Sequence, residues 1–219
     1  MLNVNELFLS FEGEGLEMGR RKFFLRLSGC NLNCPYCDTE HGWKKEWEED
    51  DLARFLAEQG RKERVRSISL TGGEPLLQHQ GLLRLIKSLP SDFELSLETN
   101  GTLFQELEQM KRLDFISLDI KIPSTAGREC WAESGKFIRV VRKKRWRYQS
   151  KVIVDKTTSI EEVISAAKLS RDNLIIQPVF KTRYTLPEKR WFSLLYYGAS
   201  RYARHVRLLP QMHKYFGVR

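Results

Sequence analysis

Seven short apolar or β-rich segments alternate with helical patterns along this chain, and no other feature restricts its fold as strongly. The segments are 22–28, 65–70, 93–98, 114–120, 147–154, 173–177 and 204–209. Helical patterns run between them over 49–59, 75–88, 102–111, 159–169 and 187–201. This spacing predicts parallel strands joined by crossover helices, an α/β architecture. Ser159-Ile-Glu-Glu162 predicts a capping box at the start of one helix. The last long helix opens with Thr185-Leu-Pro-Glu188, where proline's missing N–H costs nothing. Residues 123–136 look irregular or loosely helical. A length of 219 residues suits one full core, and no linker, repeat or low-complexity stretch divides it, so residues 1–219 read as a single domain.

In a parallel sheet, ligands bind at the carboxyl ends of the strands. Cys30-Asn-Leu-Asn-Cys34-Pro-Tyr-Cys37 follows the first predicted strand, and Thr71-Gly-Gly-Glu-Pro75 follows the second. Glu98-Thr-Asn-Gly101 follows the third, Asp119-Ile-Lys121 closes the fourth, and Gln177-Pro178 ends a later one. Gly72 and Gly73 would let the backbone approach a ligand closely. Any one of these turns is ordinary; their shared position on one rim marks a site.

Three of the four cysteines sit on the loop at 30–37. Soft thiolates crowded in this way select zinc, copper(I) or iron–sulfur clusters. A disulfide would leave an odd thiol over. Structural zinc wants a fourth protein ligand, whereas three cysteines suit a four-iron cluster with one iron open to a substrate. His41 keeps a Cys₃His zinc site open as an alternative. Cys130 has no visible partner and reads as a free thiol.

Four cysteines in all do not make a secreted disulfide scaffold. The segment Met1–Phe8 lacks the basic start and apolar core of a signal peptide, and no apolar run reaches the ~18 residues of a membrane span. A cytoplasmic enzyme is expected. The net charge of +9 gathers partly in residues 139–147, with Trp146 and Tyr148 interleaved. Such a stretch could grip nucleic acid, but a solvated helix end and strand face is the preferred reading.

Cys-x-x-x-Cys-x-x-Cys after one strand and Gly72-Gly73-Glu74-Pro75 after the next resemble the radical S-adenosylmethionine superfamily. That resemblance implies a partial (β/α) barrel of mostly parallel strands and a [4Fe-4S] cluster on Cys30, Cys34 and Cys37. It also implies S-adenosyl-L-methionine as cosubstrate, split by one electron to give a 5′-deoxyadenosyl radical. Gly73 and Glu74 would meet its methionine ammonium. Tyr36 and Asp38 would lie against its adenine or methionine part, with Asp119, Lys121 and Gln177 near its ribose, carboxylate or adenine.

A narrower resemblance covers nearly the whole chain. Phe11-Glu-Gly-Glu-Gly15, Gly19, Phe24-Leu-Arg-Leu27, Gly29-Cys-Asn31, Cys37-Asp-Thr39, Asp119-Ile-Lys-Ile-Pro-Ser124, Gln177-Pro178 and Gln211-Met-His-Lys-Tyr-Phe-Gly217 are similar to the 7-carboxy-7-deazaguanine synthases. The resemblance implies abstraction of a hydrogen from C6 of 6-carboxy-5,6,7,8-tetrahydropterin, ring contraction and loss of ammonia, in the route to 7-deazapurines such as the queuosine base of tRNA. It implies Thr39 as a Mg²⁺ ligand and Glu12, Glu14, Arg26, Thr71, His213 and the terminal carboxylate of Arg219 as substrate contacts. The family usually carries glutamine where Glu12 stands. An electron donor such as flavodoxin or ferredoxin and a homodimer are further expectations. Two rivals remain beside it: an activase that makes a glycyl radical on a partner enzyme, and a basic zinc protein that binds nucleic acid.

Overall fold

A computed structural model describes residues 1–40, 42, 44–180 and 189–218. The expectations resting on His41, Thr185–Glu188 and Arg219 lie outside the described residues. Among the described residues nine strands form one sheet: β1 (Leu2–Phe11), β2 (Arg21–Leu27), β3 (Lys45–Trp47), β4 (Ser67–Gly72), β5 (Glu94–Thr99), β6 (Phe115–Asp119), β7 (Arg147–Val154), β8 (Asn173–Pro178) and β9 (His205–Leu208). Their order is β3-β1-β2-β4-β5-β6-β7-β8-β9, so the sheet is an open, partial barrel with β3 and β9 at its edges. Every pair from β2 to β9 is parallel, and β1 runs antiparallel to both β2 and β3.

The helices are α1 (Glu49–Glu63), α2 (His79–Ser88), α3 (Phe104–Gln109), α4 (Pro123–Ala126), α5 (Trp131–Lys143), α6 (Ile160–Ser170), α7 (Lys189–Ser200) and α8 (Met212–Tyr215). The predicted capping box is present: Glu162 N donates to Ser159 Oγ at 3.2 Å, and Ser159 N donates to Glu162 Oε2 at 2.9 Å. The stretch 123–136, read as irregular or loosely helical, holds the short α4, a break at 127–130 and the start of α5, which buries Ser134, Phe137, Ile138 and Val141 at helical spacing. Gly135 and the basic residues that follow it conceal that stripe. Strand β1 is also absent from the seven predicted segments. Polar Asn3, Asn5 and Glu6 and a register shift between Val4 and Glu6 break its alternation.

Strand side chains alternate faces, and here the two faces differ chemically. Leu25, Leu27, Ile68, Leu70, Leu95, Leu97, Ile116, Leu118, Val152, Val154, Leu174 and Ile176 join the apolar core with Leu52, Leu56, Leu85, Phe137, Val141, Val163 and Ala167 from the helices. The intervening residues are mostly polar, namely Arg26, Ser69, Thr71, Ser96, Glu98, Ser117, Asp119, Gln149, Lys151 and Gln177, with Ile153 and Ile175 as apolar exceptions. Parallel strands covered on both faces normally read as continuous apolar runs. A buried polar face therefore requires partners or a ligand.

Candidate active site

The polar face lines a cavity of about 650 Å³ at the carboxyl ends of the parallel strands. Its wall includes Cys30, Cys34, Cys37, Tyr36, Asp38, Thr39, Thr71, Gly73, Asp119, Lys121 and Gln177. Glu12, Glu14, Arg26 and His213 join them from β2 and from the segments flanking the sheet. The structure thus gathers in one place the expected site residues it describes, Glu74 excepted.

Close packing holds the cysteine loop against the end of β4. Gly73 N donates to Leu27 O at 3.2 Å, and Glu74 N donates to Gly29 O at 2.9 Å. A Cβ on Gly73 would lie 2.0 Å from Gly29 O, so only glycine permits this approach. Glu74 itself is fully buried behind the wall. Its carboxylate accepts from Thr99 Oγ1 at 2.9 Å, Asn100 N at 2.7 Å and Leu76 N at 3.1 Å. Burial pushes its pKa up to about 7, although these donors oppose the rise. The side chain clasps the ends of β4 and β5 rather than facing the cavity.

On the loop, Leu32 N donates to Cys30 Sγ at 3.4 Å and Cys37 N to Cys34 O at 3.0 Å. Burial pushes the Cys30 and Cys34 thiols up, so a metal's charge is needed to hold them as thiolates. Among the described residues, no three His, Cys, Asp or Glu side chains are drawn together as the ligands of a single ion.

Beside this loop, Lys121 Nζ donates to Tyr36 OH and to Asp119 Oδ2, each at 2.8 Å. Burial opposes the lysine's charge, but Asp119 and Tyr36 hold its pKa above the ordinary value. Gln177 Oε1 and Asp119 Oδ1 are buried with no hydrogen-bond partner among the described residues. Lys151 Nζ stands 3.8 Å from the latter. Such orphaned acceptors fit a ligand that brings hydroxyl or amino donors.

The opposite end is a network of acids and lysines. Glu14 accepts from Lys151 Nζ and, at 2.6 Å, from Gln211 Nε2. Burial works against its charge, yet these partners lower its pKa to about 2. Lys22 is fully buried and reaches Glu17 Oε2 at 2.6 Å and Glu12 Oε2 at 3.3 Å. Glu98 accepts from Ser69 Oγ at 2.7 Å and Thr71 Oγ1 at 3.5 Å. His213 packs so closely on Gly13 that a Cβ there would meet its ring. Met212 N donates to Gly13 O at 2.9 Å, which seats α8 at the cavity mouth.

Between the two ends, Arg26 donates from Nε to Glu6 Oε2 at 3.2 Å and from Nη1 to Thr39 Oγ1 at 3.1 Å. Lys214 pairs with Asp38, so the carboxyl-terminal segment reaches the cysteine loop. Lys22 and Lys151 were not among the expected site residues, and Glu98 was expected only as part of the turn after the third strand. Their signal is the polar alternation within strands otherwise rich in Leu, Ile and Val.

The basic segment 139–147 contributes nothing to this cavity wall. Arg142 donates to Tyr148 OH and Ser170 O, Lys144 to Glu108 O and Met110 O, and Arg147 lies over the Phe115 ring. These residues tie the end of α5 to the ends of α3 and α6 and to the starts of β6 and β7. No helix among the described residues is long and apolar enough to cross a membrane.

Comparison with known proteins places this arrangement. The Radical SAM superfamily matches residues 25–187. The 7-carboxy-7-deazaguanine synthase of Geobacter sulfurreducens is 34% identical over 98% of this chain and 96% of its own length. That of Archaeoglobus fulgidus is 29% identical over 99% of each. The crystal structure of QueE from Escherichia coli has a similar fold, with a TM-score of 0.63 at 20% identity over 97% of this chain and 94% of that one. The chain belongs to the Radical SAM superfamily and, within it, to the family of 7-carboxy-7-deazaguanine synthases.

Proposed function

We propose that the two ends of the cavity divide the work of one ring-contraction reaction. The protein is a radical S-adenosylmethionine lyase, a 7-carboxy-7-deazaguanine synthase acting on a small molecule. Its substrate is 6-carboxy-5,6,7,8-tetrahydropterin, and it releases ammonia. The [4Fe-4S] cluster and S-adenosyl-L-methionine supply, when bound, a 5′-deoxyadenosyl radical. That membership sets aside the activase and the zinc nucleic-acid-binding alternatives.

In this reading Cys30, Cys34 and Cys37 hold the cluster, and the Gly73 carbonyl with Tyr36, Asp38, Asp119, Lys121 and Gln177 seats the cosubstrate. The orphaned acceptors of Asp119 and Gln177 support that seat, since ribose hydroxyls and an adenine amine bring the missing donors. Glu74 acts from behind, by fixing the turn that presents Gly73.

At the other end, Glu12, Glu14, Thr71 and His213 face the pterin, and the terminal carboxylate of Arg219 is assigned to it as well. Arg26 offers a planar fork to the substrate carboxylate. Thr39 would hold Mg²⁺ beside it through its hydroxyl, a hard oxygen ligand of the kind this ion takes. The family resemblance further supports one catalytic domain, a homodimer, a cytoplasmic setting and an electron donor of the flavodoxin or ferredoxin type.

The observation that carries the reading is that one cavity joins the three-thiol loop to the Glu12, Glu14 and Arg26 group. Two variants test the division. Cys34→Ala should abolish cosubstrate cleavage. Glu14→Ala should retain slow, uncoupled formation of 5′-deoxyadenosine while losing the deazapurine product. Loss of cleavage in both, with the cluster spectrum of Glu14→Ala intact, would contradict it.

A further inference from the structure

The acids at the pterin end outnumber the cations that reach them. Four glutamates surround the floor of the cavity and the small void behind it: Glu12, Glu14, Glu17 and Glu98. Lys151 from β7 is committed to Glu14, with Asp119 of β6 at 3.8 Å as its second neighbour. Lys22 from β2 is committed to Glu17 at 2.6 Å, which Arg20 also meets at 2.6 Å. Glu98 from β5 is served by two hydroxyls. Glu12 is left with the longer 3.3 Å reach of Lys22 and a backbone bond of 3.2 Å from Glu14 N. It is only 8% exposed, with Glu98 and Glu14 facing it and His213 packed on the adjoining Gly13.

We propose that Glu12 meets the substrate as a neutral carboxylic acid and donates its proton to the carbonyl of the pterin's pyrimidinone edge, while ionised Glu14 accepts from the adjoining N–H donors. This rests on the pterin reading above and adds to it the protonation state that gives the edge its register. An amino-pyrimidinone edge presents two donors and one acceptor in a row. Two ionised glutamates could satisfy only the donors and would leave the carbonyl oxygen against negative charge. One anion and one acid match all three positions. The neighbours separate the pair in this sense: burial and the charge of Glu98 push Glu12 up to about 8, whereas Lys151 and Gln211 bring Glu14 down to about 2. Two like residues driven apart by their surroundings are a recurring way to obtain one acid and one anion at neutral pH.

The test is the pH profile of kcat/KM for the pterin in the reconstituted enzyme, measured for wild type, Glu12→Ala and Glu12→Gln. Wild type should lose kcat/KM above about pH 8. Glu12→Ala should raise KM roughly tenfold. Glu12→Gln keeps a neutral donor, so it should recover most of that loss and show no alkaline fall of its own. An alkaline fall that persists in Glu12→Gln, or a glutamine variant that binds as poorly as alanine, would overturn the proposal. Infrared difference spectra without substrate, wild type against Glu12→Gln, read the same proton independently of turnover. A carboxylic acid band at neutral pH that belongs to Glu12 supports the assignment even if the substrate proves to be another lactam; its absence overturns it.

Discussion

Arg26 Nη1 donates to Thr39 Oγ1 at 3.1 Å, which links the strand entering the cysteine loop to the residue just beyond it. The group assigned to the substrate carboxylate and the group assigned to Mg²⁺ are therefore set by one contact. Thr39→Ala should raise the Mg²⁺ concentration needed for half-maximal turnover by roughly tenfold, and Arg26→Lys should mainly raise KM for the pterin. Because the two side chains touch, the double variant should lose less than the product of the single losses. Strict multiplication in a Mg²⁺ titration series would show that they act separately.

The four cysteines should separate cleanly. Cys34→Ala should reconstitute without the charge-transfer colour of an iron–sulfur protein and cleave no cosubstrate. Cys130 is fully buried at the start of α5 and does not line the cavity. Cys130→Ser should keep cluster absorbance and turnover, as ultraviolet–visible spectra and product assays will show.

Gly73 is the tightest point of the turn that supports the loop. In Gly73→Ala the new Cβ would fall 2.0 Å from Gly29 O, and a backbone atom cannot move aside as a side-chain tip can. Overpacking of this kind costs about 1–3 kcal/mol. The variant should unfold at lower temperature and bind the cosubstrate more weakly, measured by thermal melts and equilibrium dialysis. Unchanged affinity would mean that the Gly-Gly turn serves only the fold.

Alternation of strands and helices was legible in the sequence because Leu, Ile and Val runs recur at crossover spacing. The rim was legible because its chemistry lies in turns such as Cys30–Cys37 and Thr71–Pro75. Lys22 and Lys151 were not, since each sits inside a strand where a single polar residue resembles an interruption, and Glu98 was read only as the start of a rim turn. Only the register, pairing Glu98 with Ser117 and Asp119 with Lys151, shows that these interruptions share a face. Glu74 shows a different limit of the sequence. A motif gives a residue its position in the chain but not its direction, and Thr99 and Asn100 turn this carboxylate inward.

Stability should vary with pH in a direction set by the buried acids. Glu12 and Glu74 have folded-state values of about 8 and about 7, against an ordinary 4.5. Between those limits the folded chain holds protons that the unfolded chain has released, so their contribution declines as pH rises. Glu14, lowered to about 2, contributes above 4.5 and is lost as pH falls toward 2. Urea midpoints of the reconstituted protein should therefore drop from about pH 5 to 8, with a smaller drop in Glu12→Gln. An equal slope in that variant would place the titration elsewhere.

The assigned reaction is checked by mass spectrometry of its product. Anaerobically reconstituted protein would be mixed with dithionite, Mg²⁺, S-adenosyl-L-methionine and 6-carboxy-5,6,7,8-tetrahydropterin. 7-Carboxy-7-deazaguanine should form without any protein partner. Cosubstrate cleavage with no deazapurine, from protein shown to hold its cluster, would contradict the assignment of the pterin end.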